Sequence, residues 1–176
     1  MRPPKALCAL FAPAILTLGD MDYFREINDH EYLELLEIGE TDEWALRLVL
    51  AEAIVSEIYG LASKTEEPND SIRELINSSK PIGLTKESKL YEILFDDYIT
   101  YSVINESYIS GSDNEEYTGD LARIYSKSDF LDYVQKVTFA TQEFPGPFKH
   151  YGFCCGNHVV DVASVEEPKI RMINVT

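Results

Sequence analysis

The sequence predicts an α+β fold: N-terminal helices packed on a mainly antiparallel sheet of five or six strands, with one later helix laid across it. Apolar residues in the first half recur at helical spacing between capping and stop residues. After residue 85 the apolar segments become short and rich in Tyr, Ile, Val and Thr, the composition of strands. Near the end, Gly156-Asn157 separates two apolar runs, a signature of a tight hairpin.

Residues 1–20 read as an apolar leader or N-terminal extension. Met1-Arg2-Pro3-Pro4-Lys5 is a basic start, Ala6 to Leu18 is an apolar run, and Thr17 and Gly19 supply small residues at a cleavage-site spacing. That is the outline of a secretory signal. Pro13 interrupts the run, which is also too short to span a bilayer. Residues 21–176 read as a single domain, helical over 21–80 and sheet-rich over 86–176.

Asp29 caps a helix over His30 to Ile38, which Gly39 stops. A longer helix is predicted from Asp42 to Leu61, with Glu43 and Arg47 as an i,i+4 pair. Its apolar residues, from Trp44 to Leu61, cover most of the circumference, so it reads as the core helix. Lys64 to Asp70 is a polar connection and Ser71 to Ser78 a short helix, broken by Pro81 and Gly83. Leu90 to Phe95 and Tyr98 to Ser107 form a hairpin about Asp96-Asp97.

Ser110 to Gly119 is a loop of turn formers, and Leu121 to Tyr125 a short strand. Ser126 opens a helix carrying Phe130, Leu131, Val134, Val137 and Thr138 on one face. Phe144-Pro145-Gly146-Pro147-Phe148 is a stiff linker. His150 to Cys155 and His158 to Val165 flank the tight turn, and Ile170 to Val175 adds an edge strand.

Charge is the most informative bulk property. Residues 20–70 hold fifteen Asp and Glu against Arg25, Arg47 and Lys64, a net −12 of the chain's −16. Such a polarised field attracts a basic partner and repels nucleic acid and anionic lipid, for which the chain also lacks Lys/Arg clusters. The three cysteines are an odd number, and adjacent Cys154 and Cys155 on a strand point to opposite faces. All three read as reduced thiols, which places the chain in a reducing, cytoplasmic compartment unless residues 1–19 direct export.

The cluster His150, Cys154, Cys155, His158 and Asp161 is the one group of catalytic-type residues. With Gly156-Asn157 as the turn, Cys155 pairs with His158, Cys154 with Val159, Gly152 with Asp161 and His150 with Ala163. His150 and Cys154 lie about 13 Å apart along the strand and form no dyad. A Cys155–His158 dyad is geometrically conceivable and is the weak enzymatic alternative, of hydrolase type; a carboxylate pair is the other. No three ligands converge for zinc, the acidic loop lacks calcium-hand spacing, and no nucleotide or hydrolase motif occurs, so no cofactor or metal is expected. Glu52, inside an apolar segment, needs a partner such as Arg123 or a lysine.

Carboxylates interleaved with tyrosines suit the capture of a basic protein, charge supplying encounter and aromatics supplying affinity. The expected contact residues are Glu31, Tyr32, Glu34, Glu37, Glu40 and Asp42. In charge and size the chain is similar to bacterial toxin-immunity proteins, a likeness of composition that carries no motif and transfers no residues. The expectation is a non-enzymatic acidic binding protein that inhibits a basic partner protein and binds neither nucleic acid nor membrane.

Overall fold

A computed structural model describes residues 18–55 and 81–173. Helix α1 (Leu18–Asn28) leads into β1 (Tyr32–Glu40), β2 (Leu46–Val55), β3 (Ile82–Gly83), β4 (Leu90–Phe95) and β5 (Tyr98–Asn105). A 3-10 turn (Glu106–Tyr108) precedes β6 (Glu116–Thr118) and β7 (Ala122–Lys127), then α2 (Asp129–Val137), β8 (Lys149–Cys154), β9 (His158–Ser164) and β10 (Lys169–Ile173).

The strands make two antiparallel sheets. One runs in the order β1-β2-β4-β10, with β3 pairing the far end of β2; the other runs β5-β9-β8-β7-β6. The inner faces of the two share one core with α1, so the architecture is a two-sheet sandwich. This overturns the α+β expectation of N-terminal helices packed on a sheet. The predicted helix over His30 to Ile38 is strand β1, and the predicted core helix over Asp42 to Leu61 contains strand β2.

The physical reason lies in the two faces of β2. Leu46, Leu48 and Leu50 point into the core at period two, while Val49, Ala51 and Ala53 are buried on the opposite face. A strand covered on both sides is apolar all round, as a buried helix would be. In β1 a bulge between Leu35 and Glu37 breaks the alternation begun by Leu33 and Leu35. Of the leader expected over 1–20, residues 18–20 begin α1 and the rest lies outside the described residues, as does the helix expected at Ser71 to Ser78.

A second correction concerns Asp96-Asp97. Rather than turning a hairpin, these residues cross between sheets: β4 pairs with β2 and β10, and β5 pairs with β9. Asp-Asp cannot readily take the two positive-φ positions that the tightest hairpin turns require. The edge strand expected at 170–175 is β10, and it closes the first sheet, on β4.

Aromatic rings lock the layers together. Phe95 of β4 contacts Tyr151 and Phe153 of β8 at centroid distances of 5.4 and 6.3 Å, and Phe24 of α1 meets the same two rings at 6.4 and 6.1 Å. Truncating one such buried ring to alanine costs about 3–5 kcal/mol. Helix α1 packs on β10 of one sheet and β7 of the other, with Phe24 and Ile27 buried. The β8–β9 turn binds the first sheet as well: Asn157 Oδ1 accepts the Leu35 N–H at 3.1 Å, its Nδ2 donates to the Leu35 carbonyl at 3.0 Å, and the Gly156 N–H donates to Leu33.

Candidate functional site

The β8–β9 hairpin has the register that its turn dictates. His150 pairs with Ala163, Gly152 with Asp161 and Cys154 with Val159, and the Cys155 N–H donates to the His158 carbonyl at 2.9 Å. Tyr151, Phe153, Cys155, Val160 and Val162 therefore enter the core. His150, Gly152, Cys154, Val159 and Asp161 occupy the outer face of the second sheet. There they join Arg123 and Tyr125 of β7 and Ser102 and Ile104 of β5, which the pairings place in the same rows.

This outer face floors a cleft of about 990 Å³, walled by the loop over 106–115 and by Asp129 and Phe130 of α2. At the β8–β9 turn the cleft continues to Glu31, Tyr32 and Glu34 at the start of β1. The six expected partner-binding residues thus fall into two groups. Glu31, Tyr32 and Glu34 border the cleft. Glu37, Glu40 and Asp42 lie toward the β1–β2 turn: Glu37 pairs with Arg47 at 2.8 Å, Glu40 accepts from the Tyr98 hydroxyl, and Asp42 is exposed.

His150 anchors α2 to the sheet. Its Nδ1 and the Ser128 hydroxyl are 2.8 Å apart, and its Nε2 lies 2.9 Å from Asp161 Oδ1. The ring stacks on Tyr125 at 4.0 Å. One tautomer satisfies the whole chain: Ser128 donates to Nδ1, and Nε2–H donates to Asp161. A Ser–His–Asp series invites comparison with acyl-transfer enzymes. Here the serine is only 3 % exposed and its Oγ accepts the Leu131 N–H as the helix N-cap, so a substrate carbonyl has no approach. Nothing local in the sequence marks Ser128, because its link to His150 is tertiary and Ser126 offers the more obvious capping pattern.

The two cysteines differ. Cys155 sits in the core, where burial pushes its thiol up to about 12. Cys154 lines the cleft, and burial raises it too, opposed by the charge of Arg123. Neither is a ready thiolate near neutral pH. His158 has a buried Nδ1 with no hydrogen-bond partner among the described residues. Glu52 finds its partner in His30, whose Nδ1 is 3.1 Å away while Nε2 meets the Tyr91 hydroxyl at 2.6 Å. Among the described residues, no three His, Cys, Asp or Glu side chains group to hold a metal ion, and no helix is long and apolar enough to cross a membrane.

The β1–β2 turn is the other unusual feature. Trp44, the chain's only tryptophan, has φ +65° and is 59 % exposed. The turn is held by Thr41, whose N–H donates to the Ala45 carbonyl, whose carbonyl accepts from Trp44, and whose Oγ1 accepts from Ala45. A bulky residue in the left-handed region is strained, and its ring is turned to solvent beside exposed Asp42 and Glu43. Comparison with protein-family models, with curated proteins and with solved structures gives no match.

Proposed function

We propose that the protein is a non-enzymatic binding protein that captures a basic protein partner through the acidic strand β1 and the β1–β2 turn. The single observation that carries this is Trp44, an exposed indole in a strained, hydrogen-bonded turn among carboxylates. Tryptophan is the residue type most enriched at binding hot spots, and rigid presentation lowers the entropy lost on binding. Glu37 and Glu40 at the end of β1, with Asp42 and Glu43 in the turn itself, supply a field that speeds encounter with a cationic surface.

Acids on an edge strand also discourage edge-to-edge pairing, which accounts for β1 lying at the edge of its sheet among the described residues but not for an outward tryptophan. An immunity-type role, in which the basic partner is an enzyme held inactive, is the form of this reading that the charge balance favours.

Affinity capture from native lysate at low and high salt supplies the partner. Its association rate is then measured against a variant with Glu34, Glu37, Glu40 and Asp42 all changed to Lys. The expected result is association at least tenfold slower at low ionic strength, with the difference shrinking as salt rises. An association rate untouched by reversal of all four overturns the proposal.

A further inference from the structure

Among the described residues, Arg123 is the only lysine or arginine that lines the cleft on the outer face of the second sheet. It is half-buried and has no carboxylate within ion-pair distance among the described residues. In a chain carrying twice as many acids as bases, an inward cation with no counter-ion among the described residues is conspicuous. Its position is fixed by neutral groups: Nε donates to the Asp120 carbonyl at 2.9 Å, and the guanidinium lies 4.3 Å from the Tyr117 ring centroid. Only a long contact of 3.5 Å links Nη1 to the Tyr125 hydroxyl. A guanidinium has five N–H donors, so Nη2 and part of Nη1 remain for another acceptor.

Asp161 stands in the same row of side chains, two strands away across Gly152. Adjacent strands lie about 4.8 Å apart, so their backbones are about 9.6 Å apart. Between them lies Tyr125, whose ring runs so close over Gly152 that a Cβ there would come within 2.8 Å of Cε2. One oxygen of Asp161 takes the His150 N–H, and the other has no hydrogen-bond partner among the described residues. Among the described residues, the cleft thus offers one unpaired cation at one side and an open carboxylate oxygen at the other.

The rest of the wall decides which ligand chemistry fits. Several further carboxylates border the cleft, so a simple anion that reaches Arg123 is repelled on the way, and a simple cation meets the guanidinium. A molecule carrying both charges, as an α-amino acid does, satisfies each end: its carboxylate takes the free guanidinium donors and its ammonium the open Asp161 oxygen. Ile104 and Val159 leave room for an apolar side chain beyond. We propose that the cleft binds a small zwitterion of the α-amino-acid type, its carboxylate on Arg123 and its ammonium toward Asp161. This site is separate from the Trp44 turn and stands or falls independently of it.

The test is an amide-detected NMR titration of the full chain at low salt with L-phenylalanine and L-leucine, alongside phenylalaninamide and N-acetylphenylalanine. The amide lacks the carboxylate and the acetylated form lacks the ammonium. At least one free amino acid should give saturable shifts centred on Arg123, Gly152 and Val159, and both blocked forms should bind at least tenfold more weakly than L-phenylalanine or fail to saturate where L-leucine does. Arg123→Gln should weaken the amino acid at least tenfold and leave the amide unaffected. No saturable shift at these residues with either amino acid overturns the assignment, as does equal binding of the blocked forms, a comparison made on the wild-type chain that no folding defect can confuse.

Discussion

Asn28, the last residue of α1, grips Ala122 by both of its backbone polar groups: Oδ1 accepts the Ala122 N–H at 3.0 Å and Nδ2 donates to the Ala122 carbonyl at 2.9 Å. The same Oδ1 accepts from Asp120 and Leu121, and Nδ2 also donates to Phe24. One side chain thereby fixes the end of the helix to the beginning of β7, the strand that carries Arg123 and Tyr125. Gly119, at φ +90°, makes the approach feasible, because a Cβ there would lie 2.0 Å from the Ala122 carbonyl oxygen.

Asn28→Ala should therefore cost about 3 kcal/mol, since several backbone groups lose their partner together. Asn28→Asp keeps the acceptor and loses both donated bonds, so it should fall between alanine and wild type. Urea denaturation followed by circular dichroism checks the order. A loss under 1 kcal/mol for the alanine variant would show that water replaces the clamp.

The half of the fold built from local signals was legible. Gly156-Asn157 determined the β8–β9 register, and a serine cap with an apolar face marked α2 to within a turn. Strands β1 and β2 were not legible, because Leu, Glu and Ala favour helix when isolated and sheet pairing overrides that preference. The alternation of Leu46, Leu48 and Leu50 was visible, but the apolar residues between them masked it. The cleft was half legible: the hairpin placed His150, Cys154 and Asp161 on one face, whereas Arg123 joins them only through the pairing of β7 with β8. Trp44 falls within the expected core helix, and no local pattern announces a positive φ at a tryptophan.

Glu92 should shape the acid response. It is buried between Arg171 and Arg47, with Arg47 Nε 2.7 Å from Oε1 and Arg171 on Oε2. Hydrogen bonds from Arg171 first and Arg47 second hold its carboxyl below the usual range. A carboxyl depressed in the folded state stabilises above its unfolded value of about 4.3, and that contribution is lost as the pH falls through the folded value. Glu92→Gln should be about 3 kcal/mol less stable at pH 7. Its stability should fall less steeply than wild type between pH 5 and pH 3, so the two curves converge in acid. Parallel curves over that interval would contradict the assignment.

The cysteines should separate by reactivity. At pH 8 a thiol at about 12 is ionised roughly one part in ten thousand, against about a quarter for an ordinary thiol. Cys155 should accordingly react with iodoacetamide about two-thousandfold more slowly than a free cysteine, and Cys154, at the cleft, should react before it. Denaturation in urea should erase the difference. Peptide mass spectrometry of timed samples reads both sites. Rapid modification of Cys155 in the folded chain would revive it as a nucleophile.

Trp44 should show opposite effects on stability and on binding. A left-handed backbone costs an ordinary residue about 1–2 kcal/mol that glycine does not bear. Because the indole is 59 % exposed, its removal sacrifices little burial. Trp44→Gly should therefore match or exceed wild-type stability by up to about 1 kcal/mol, while Trp44→Ala keeps the backbone strain and gains nothing. Both should weaken binding of the captured basic partner at least tenfold, with most of the change in the dissociation rate, whereas charge reversal along β1 acts on association. Paired denaturation and binding measurements on the two variants decide the matter. A glycine variant that loses stability while retaining affinity would make Trp44 a plug in the turn and remove the anchor of the proposed interface.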